Sequence, residues 1–293
     1  MLTGVSRSVA ARAIIEGQVT VDGEAVAKVS QRLLADQRLE IDDSILEDDD
    51  SIQADSSVEV VASHVDDDVI VIDKSPGSVV HPGAGNDSGT IIQGVMDRYP
   101  EVASIGDPAR PGVVHRLDKG TSGVFVIARS QRAYESLTRQ LKERTVERTY
   151  LTVGWGQPSS DKGVIEAPIG RAVRDPTRMV VHQDGKPART AYTVLARWHS
   201  PDVTLFSCTL DTGRTHQIRV HLEAIHHPVV GDRRYGGGRD TLGMDRPALH
   251  AAKLGFVHPA TGELVRFESS LPDDLRALFH RVGAPEIGEV PSE

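Results

Sequence analysis

The first residues of the chain carry apolar side chains at helical spacing. Apolar residues within 9–14 recur at the three- and four-residue intervals of one helix face. They stand between Ser6, which could cap a helix, and Gly17, which could end it. We therefore predict a helix over 7–16.

The residues that follow alternate between apolar and polar side chains. The alternation over 19–26 is interrupted by an Asp22-Gly23 pair, a combination that favours a tight hairpin turn. Leu39 and Ile41 repeat the same spacing further on and could add a third strand. The chain is thus expected to begin with a small α+β domain.

Strand-like patterns dominate the chain after residue 69. The stretches with a strand pattern are 69–72, 113–117, 124–128, 150–153, 191–195 and 203–210. Only two clear helices accompany them, one capped by Ser130 and one beginning near Pro272. A parallel sheet would need more crossover helices, so we predict an α+β fold with a mixed, largely antiparallel β-sheet.

The charge of the chain is unevenly distributed. Its 33 basic and 42 acidic residues give a net charge of −9, which taken alone argues against a nucleic-acid partner. Twelve of the acids lie within 41–73, where no Lys or Arg occurs, so the rest of the chain carries +3. Residues 107–150 and 171–253 carry +4 and +5. The acidic total therefore describes one local block.

This acidic block suggests the domain boundaries. An acidic run gains too little apolar contact to offset its ordering and repulsion, so we interpret 43–66 as a solvated linker that would stay off any nucleic acid. The small domain then spans 1–42, the main domain 67–285, and a C-terminal tail 286–293.

Cellular location is addressed by three observations. No apolar run approaches the roughly 18 residues of a membrane span. The start, MLTGVSRS, has no apolar signal-peptide core. The single cysteine, Cys208, excludes an internal disulfide and fits a reducing compartment. We expect a cytoplasmic protein.

The densest candidate for chemistry is the segment 110–130. It carries His115, Arg116 and Asp118, followed by two glycines with Thr and Ser between them. An aspartate at a strand end on a tight polar turn can be presented as a rigid reactive carboxylate. From the residues alone, a turn-capping aspartate paired with an arginine is an equally good interpretation.

A second candidate segment, 211–232, is rich in hydrogen-bond donors. We interpret residues 214–221 as a strand or a turn. On an extended stretch, Gln217 and Arg219 would face one side and His216 and Ile218 the other. A buried arginine without an acidic partner is costly, so Arg219 is expected to hold a nearby carboxylate.

Other chemistries fit the sequence poorly. His216 and His221 are five residues apart and lack the glutamate of a zinc-protease helix. The glycines of 83–89 are out of register for a dinucleotide-binding loop, and one cysteine excludes the zinc deaminase pattern. A hydrolase acting through Asp118 and Arg116 lacks a second catalytic carboxylate.

Four segments together resemble RluA-type RNA pseudouridine synthases. The first is His115-Arg116-Leu117-Asp118 followed by Thr121-Ser122-Gly123. The others are VVHPGAGN at 79–86, GRTHQIRVH at 213–221 and LHAAKLGFVHP at 249–259, which stand in the order of the family's motifs. The pattern SRSVAARAIIEGQVTVDGEAVAKVSQRL is similar to an S4 RNA-binding domain, whose first helix we expect to be missing from this chain.

The resemblance implies that the chain isomerises uridine to pseudouridine in RNA. Asp118 would be the nucleophile or base, and would act either at uracil C6 or at the ribose. Arg219 would pair with Asp118 and keep it anionic. Tyr150 would stack on the flipped base and is a candidate for proton removal from C5. Unstacking a base costs a few kcal/mol, which such stacking offsets.

The resemblance also suggests residues that contact RNA. Arg116 would help to extrude the base, and Leu249 would line the uracil pocket. The remaining candidates for substrate contact are His115, Lys119, Arg214 and His250. We expect no cofactor and no metal, a monomer, and a structured RNA partner, with large-subunit ribosomal RNA favoured over tRNA. The alternative is a non-catalytic RNA-binding or ribosome-assembly factor on the same fold.

Overall fold

The computed structural model describes residues 7–26, 28–42, 52–83 and 86–291. The chain divides into two compact units, Met1–Gln53 and Ala54–Glu293. Ser6, the predicted helix cap, and residues 43–51 of the predicted linker lie outside the described residues.

The smaller unit contains the predicted helix and hairpin. Its elements are α1 (Arg7–Ile15), β1 (Val19–Val21), β2 (Glu24–Ala25) and β3 (Leu39–Ile41). The strands are antiparallel in the order β2-β1-β3. Asp22 and Gly23 both have positive φ (53° and 84°), as a two-residue hairpin turn requires. Ala13 packs with the buried valines of β1 in a small core, which confirms the predicted elements.

The larger unit is built around one sheet. The strands within its first half are β4 (Ala62–Val65), β5 (Val69–Lys74), β6 (Gly106–Asp107), β7 (Arg110–Pro111), β8 (Ser122–Ala128), β9 (Glu147–Trp155) and β10 (Lys162–Glu166). Those that follow are β11 (Ile169–Arg171), β12 (Met179–Val181), β13 (Arg189–His199), β14 (Asp202–Leu210), β15 (Leu249–Val257), β16 (Leu264–Glu268) and β17 (Ile287–Gly288). The helices are α2 (Ile91–Arg98), a 3₁₀ helix (Pro100–Ser104), α3 (Gln131–Glu143), α4 (Gln217–Ala224) and α5 (Asp273–Val282).

The sheet is mixed and largely antiparallel, as predicted. Its strands run in the order β10-β13-β14-β9-β15-β8-β5-β4, with β16 beside β15 and β17 beside β13. In the part of the chain that the structure describes, β8 and β15 form the single parallel pair of this sheet. No helix of the described residues is long and apolar enough to span a membrane.

The core lies where the central strands are covered by helix α3. Every residue of β8 is buried, and β5 is buried along most of its length. Ser130 caps α3 by accepting a hydrogen bond from the Ala133 N–H (3.0 Å), and Ala133 and Leu137 pack onto the strands. This core fixes the ends of β8 and β15, where the chain turns toward a large cavity.

The predicted acidic linker is wrong for residues 54–66, which belong to the larger unit. Val60 is buried, and 62–65 form β4 beside β5. The Asp66 carboxylate accepts hydrogen bonds from His258 and from the backbone N–H of Val69. Asp55 likewise accepts from Ser57, so at least two of the acids there are paired with donors and their repulsion does not prevent packing.

Three further predictions about the main domain need correction. Residues 113–117 are irregular apart from a bridge between Val113 and Ile127. The stretch 214–221, predicted to be a strand or a turn, instead enters helix α4 at residue 217. The predicted tail at 286–293 contributes β17, which pairs with β13 through Ile287 and Gly288.

Candidate active site

A cavity of about 620 Å³ opens in the larger unit at the end of the irregular segment that carries Asp118. Six of the nine predicted site residues line it, namely Asp118, Tyr150, Arg116, His115, Arg214 and Leu249. Arg219 lies behind Asp118. The structure therefore gathers side chains from segments more than 100 residues apart.

Two buried cations hold the turn that follows Asp118. The Lys74 ammonium donates to the carbonyl oxygen of Lys119 (3.2 Å) and to two other carbonyls, and Arg246 Nη1 donates to that of Gly120 (2.9 Å). The Asp118 carbonyl accepts from the Thr121 N–H at 2.9 Å. Burial, followed by the nearby Arg246 charge, lowers the pKa of Lys74 to about 8. The backbone that presents Asp118 is thus fixed on both sides of the turn.

The Asp118 carboxylate faces a buried guanidinium. Arg219 Nη1 lies 3.6 Å from Asp118 Oδ2, while Nε and Nη2 donate to Asp232 at 2.6 and 3.0 Å. The guanidinium also lies 4.9 Å from the centre of the Tyr235 ring. Burial lowers the pKa of Arg219, but the hydrogen bonds and charges of Asp232 and Asp118 outweigh it and raise the pKa. Arg219 therefore stays charged beside Asp118.

Tyr150 forms an apolar wall of the cavity from β9. Its Cα partners are Cys208 on β14 and Ala251 on β15, so the ring belongs to the rigid centre of the sheet. Burial raises the pKa of its hydroxyl, Arg148 lowers it and Asp118 raises it, with a raised net pKa. A neutral aromatic ring suited to stacking is the result.

Arg148 and His81 each have a buried polar atom at the cavity that lacks a hydrogen-bond partner. Arg148 Nη2 donates to the Leu210 carbonyl (3.1 Å), but neither Arg148 Nε nor His81 Nδ1 has a hydrogen-bond partner. A Cβ at Gly213 would lie 3.0 Å from Arg148 Nη1, so glycine gives the guanidinium room. Burial lowers the pKa of both side chains, that of His81 to about 4. These unsatisfied polar atoms are available to a bound ligand.

The rim of the cavity is basic. Its cationic side chains are those of Arg110, Arg116, Lys142, Arg144 and Arg214. Arg214 is partly anchored, because its Nε donates to the Pro187 carbonyl at 3.1 Å. Such a rim attracts a phosphate backbone. Among the described residues, no three His, Cys, Asp or Glu side chains are grouped as a metal ion would require.

His115 lines the cavity but also supports its wall. Its Nε2 accepts a hydrogen bond from the Val126 N–H (3.1 Å), which places the ring proton on Nδ1. Burial, helped by the charge of Arg148, lowers the pKa of His115 to about 3. A neutral His115 is therefore part of the folded structure at physiological pH.

Two predicted contact residues do not line the cavity. His250 is 1% exposed and is held by Ser122 Oγ and the Ser269 carbonyl, both at 3.0 Å, so the prediction that it contacts RNA is wrong. Successive residues of a strand face opposite sides, so Leu249 reaches the cavity and His250 the interior. Lys119 is exposed outside the cavity, where it donates to Asn86.

Several residues that build the site were not predicted from the sequence. Asp232, Tyr235, Lys74 and Arg246 were not selected, although 211–232 ends at Asp232. The expectation of an acidic partner for a buried arginine could have pointed to Asp232. Lys74 and Arg246 act through backbone carbonyls, which leave no trace in a sequence.

Comparisons with known proteins show which family and fold this chain shares. Residues 68–224 match the family model described as RNA pseudouridylate synthase. An uncharacterized RNA pseudouridine synthase of Bacillus subtilis is 41% identical over 94% of this chain and 89% of its own length. Ribosomal large subunit pseudouridine synthase D of Vibrio parahaemolyticus is 38% identical, over 93% and 85% respectively. The structure of human RNA pseudouridylate synthase domain containing 1 superposes with a TM-score of 0.61 at 28% identity, covering 77% of this chain and 90% of that one.

Proposed function

This chain belongs to the RNA pseudouridylate synthase family and is an isomerase, and we propose that it acts through Asp118 on uridine in large-subunit ribosomal RNA. The assignment of Asp118 depends mainly on its position. It lies in a basic cavity, on a turn that Lys74 and Arg246 hold, 3.6 Å from the buried Arg219. The ribosomal target rests on relatives whose names specify the large subunit.

The reaction exchanges one glycosidic bond for another within a single nucleotide. The bond from ribose C1′ to uracil N1 breaks, a bond from C1′ to C5 forms, the C5 proton leaves and N1 gains a proton. Atoms and electrons balance without a second substrate. Asp118 serves this exchange by attack at uracil C6 or at the ribose, and the charged Arg219 lies beside its carboxylate.

Tyr150 and Leu249 would hold the extruded base. Both side chains line the cavity and come from neighbouring strands of the rigid sheet. The raised pKa of Tyr150 favours the neutral phenol, which stacks well on a base. To remove the C5 proton it would first have to lose its own, a step that the neighbouring positive charge of Arg148 assists.

Base extrusion would be the work of the exposed rim. Arg116 is exposed at the cavity mouth, two residues before Asp118, where it can enter the gap that a flipped base leaves. The other rim cations would contact phosphates. Lys119, exposed nearby, would add to the same field.

The smaller unit would supply a second contact with RNA. Its helix and three-stranded sheet fit the elements expected of an S4-like domain. A monomer is sufficient for the proposed chemistry, because the larger unit provides Asp118, Arg219, Tyr150 and the rim cations. Ribosomal RNA as substrate would place the enzyme in the cytoplasm. Removal of residues 1–53 should weaken RNA binding while pseudouridine formation at saturating RNA persists.

The substitution Asp118→Asn tests the assignment. The amide keeps the size of the side chain but cannot act as nucleophile or base, so RNA binding should persist while pseudouridine formation ceases. Pseudouridine should be quantified in a ribosomal RNA transcript and mapped in total RNA from cells with and without the gene. Retained activity of Asp118→Asn would refute the assignment of Asp118. An identical pseudouridine map in cells with and without the gene would favour the non-catalytic alternative.

A further inference from the structure

His216 adopts an unusual backbone conformation beside Asp118. It precedes helix α4 with φ of 57° and ψ of 22°, in the left-handed region that non-glycine residues seldom occupy. Its side chain does not cap the helix. Strain of this kind persists where the surroundings impose it, often at functional sites. The contacts of the His216 imidazole are therefore relevant to the function of the site.

A chain of hydrogen bonds fixes the tautomer of His216. The Met179 N–H donates to the Tyr235 hydroxyl oxygen at 3.1 Å, and the hydroxyl can donate its own proton to His216 Nδ1, which lies 2.8 Å away. The two rings also meet edge to face, with centroids 5.6 Å apart. Because Nδ1 accepts, the ring proton of the neutral imidazole must lie on Nε2.

The Nε2 atom lies near the reactive carboxylate. His216 Nε2 lies 4.0 Å from Asp118 Oδ2, the same oxygen that faces Arg219 Nη1 at 3.6 Å. Two donors thus converge on one oxygen, and the other oxygen is left to react. We propose that His216 is a positioning residue whose Nε2–H, fixed by Tyr235, orients the Asp118 carboxylate for attack.

The charges around the ring favour this neutral donor. Burial is the largest influence and lowers the pKa of His216; Asp118 and Asp232 raise it, and Arg219 and Arg234 lower it, so that the net pKa is lowered. A neutral N–H orients a carboxylate and withdraws less electron density than a second cation would. Arg219 supplies the positive charge beside the Asp118 carboxylate, and His216 sets the orientation of that carboxylate.

This inference rests on the proposed catalytic role of Asp118, and two substitutions separate it from a purely structural role. Gln places its amide nitrogen near the position of Nε2, whereas Asn reaches only as far as Nδ1. Asn, however, tolerates the left-handed conformation better than Gln does. A structural role therefore predicts that His216→Asn is the better enzyme, and a positioning role that His216→Gln is.

The first experiment compares kcat and KM of both variants on a ribosomal RNA transcript. We expect His216→Asn to lose kcat by about 100-fold, the scale of a small misplacement of a reacting group, with KM within about twofold. His216→Gln should recover at least about tenfold of that loss. Parent-like kcat in both variants, or a higher kcat in His216→Asn, would overturn the proposal.

The second experiment reads the tautomer itself, and it needs no substrate. In the full chain labelled with ¹⁵N-histidine, the His216 signals, identified by their absence from His216→Gln, should report a proton on Nε2 from pH 6 to 8. Tyr235→Phe should populate both tautomers and lower kcat by about tenfold. A proton on Nδ1 in the parent protein overturns the proposal whatever the variants do. An inactive parent with the Nε2 tautomer would instead count against the proposed function.

Discussion

Asp232 is joined to Arg219 by two hydrogen bonds, of 2.6 and 3.0 Å, on the side of the guanidinium away from the cavity. Asp232 is itself fixed, because it accepts from the backbone N–H of Arg234 and Tyr235. The guanidinium therefore reaches Asp118 already oriented and already paired. The carboxylate of Asp118 need not carry the cost of burying that charge, so it can leave Arg219 during a reaction.

The substitution Asp232→Asn should damage both stability and activity. It leaves the Arg219 charge buried without its ionic partner, and we expect a loss of about 3 kcal/mol in the free energy of unfolding. The melting temperature should fall by about 6–12 °C. Thermal and urea unfolding measure the first effect, and pseudouridine formation the second.

Asp118→Asn is the matched control for this prediction. It removes the other carboxylate near Arg219 but leaves the Asp232 pair intact, so unfolding should change by less than about 1 kcal/mol. Equal stability of the Asp232→Asn and parent proteins would contradict a stabilising role for the ion pair between Asp232 and Arg219.

Replacing Arg148 by Met should separate stability from function. The guanidinium is buried with Nε unpartnered, so an apolar side chain of similar size removes a desolvation cost that hydrogen bonds only partly offset. We expect an unchanged or higher melting temperature together with at least a tenfold loss of kcat/KM. Calorimetry and steady-state assays on the same preparation measure both, and full activity would refute a role for Arg148 in substrate binding.

Local patterns predicted about half of the elements of the fold, and helices α2 and α4 are among those that were missed. The hairpin at Asp22 and the cap at Ser130 are signals within a few residues. The two missed helices are short, and the first six residues of each, Ile91–Met96 and Gln217–Leu222, are all buried. A helix segment buried on every side has no polar face, so its sequence does not show a helical period.

Only part of the site was predicted from the sequence, because local motifs mark some of its residues and not others. Asp118, Tyr150 and Arg219 stand in recognisable motifs and converge in the structure. His250 was misplaced because it adjoins Leu249, although alternation along a strand separates the two. The contribution of Asp232 depends on the path of the loop after α4, which no local pattern specifies.

The basic rim should make RNA binding salt-dependent, and helix α3 offers a matched pair of cations to test it. Lys142 lines the cavity rim, whereas Arg139, also exposed on α3, does not. Lys142→Ala should weaken binding and reduce the slope of log Kd against log salt by about 0.7–0.9. Arg139→Ala removes the same charge and should leave both nearly unchanged. Identical effects of the two variants would show that RNA binding depends on the overall positive charge and not on the position of Lys142 at the rim.

Acidification should destabilise the protein through His115. Its pKa is lowered to about 3 in the folded state, against about 6.5 when unfolded, so its contribution to stability is complete above pH 6.5 and is lost as pH falls toward 3. Between pH 7 and 5 this histidine accounts for about 2 kcal/mol. Gln does not titrate, and its side-chain oxygen can still accept from Val126, so His115→Gln should reduce the pH-dependent loss by that amount. Urea unfolding at both pH values measures it, with the exposed His280→Gln as control. An unchanged pH dependence in His115→Gln would mean that other groups drive the loss.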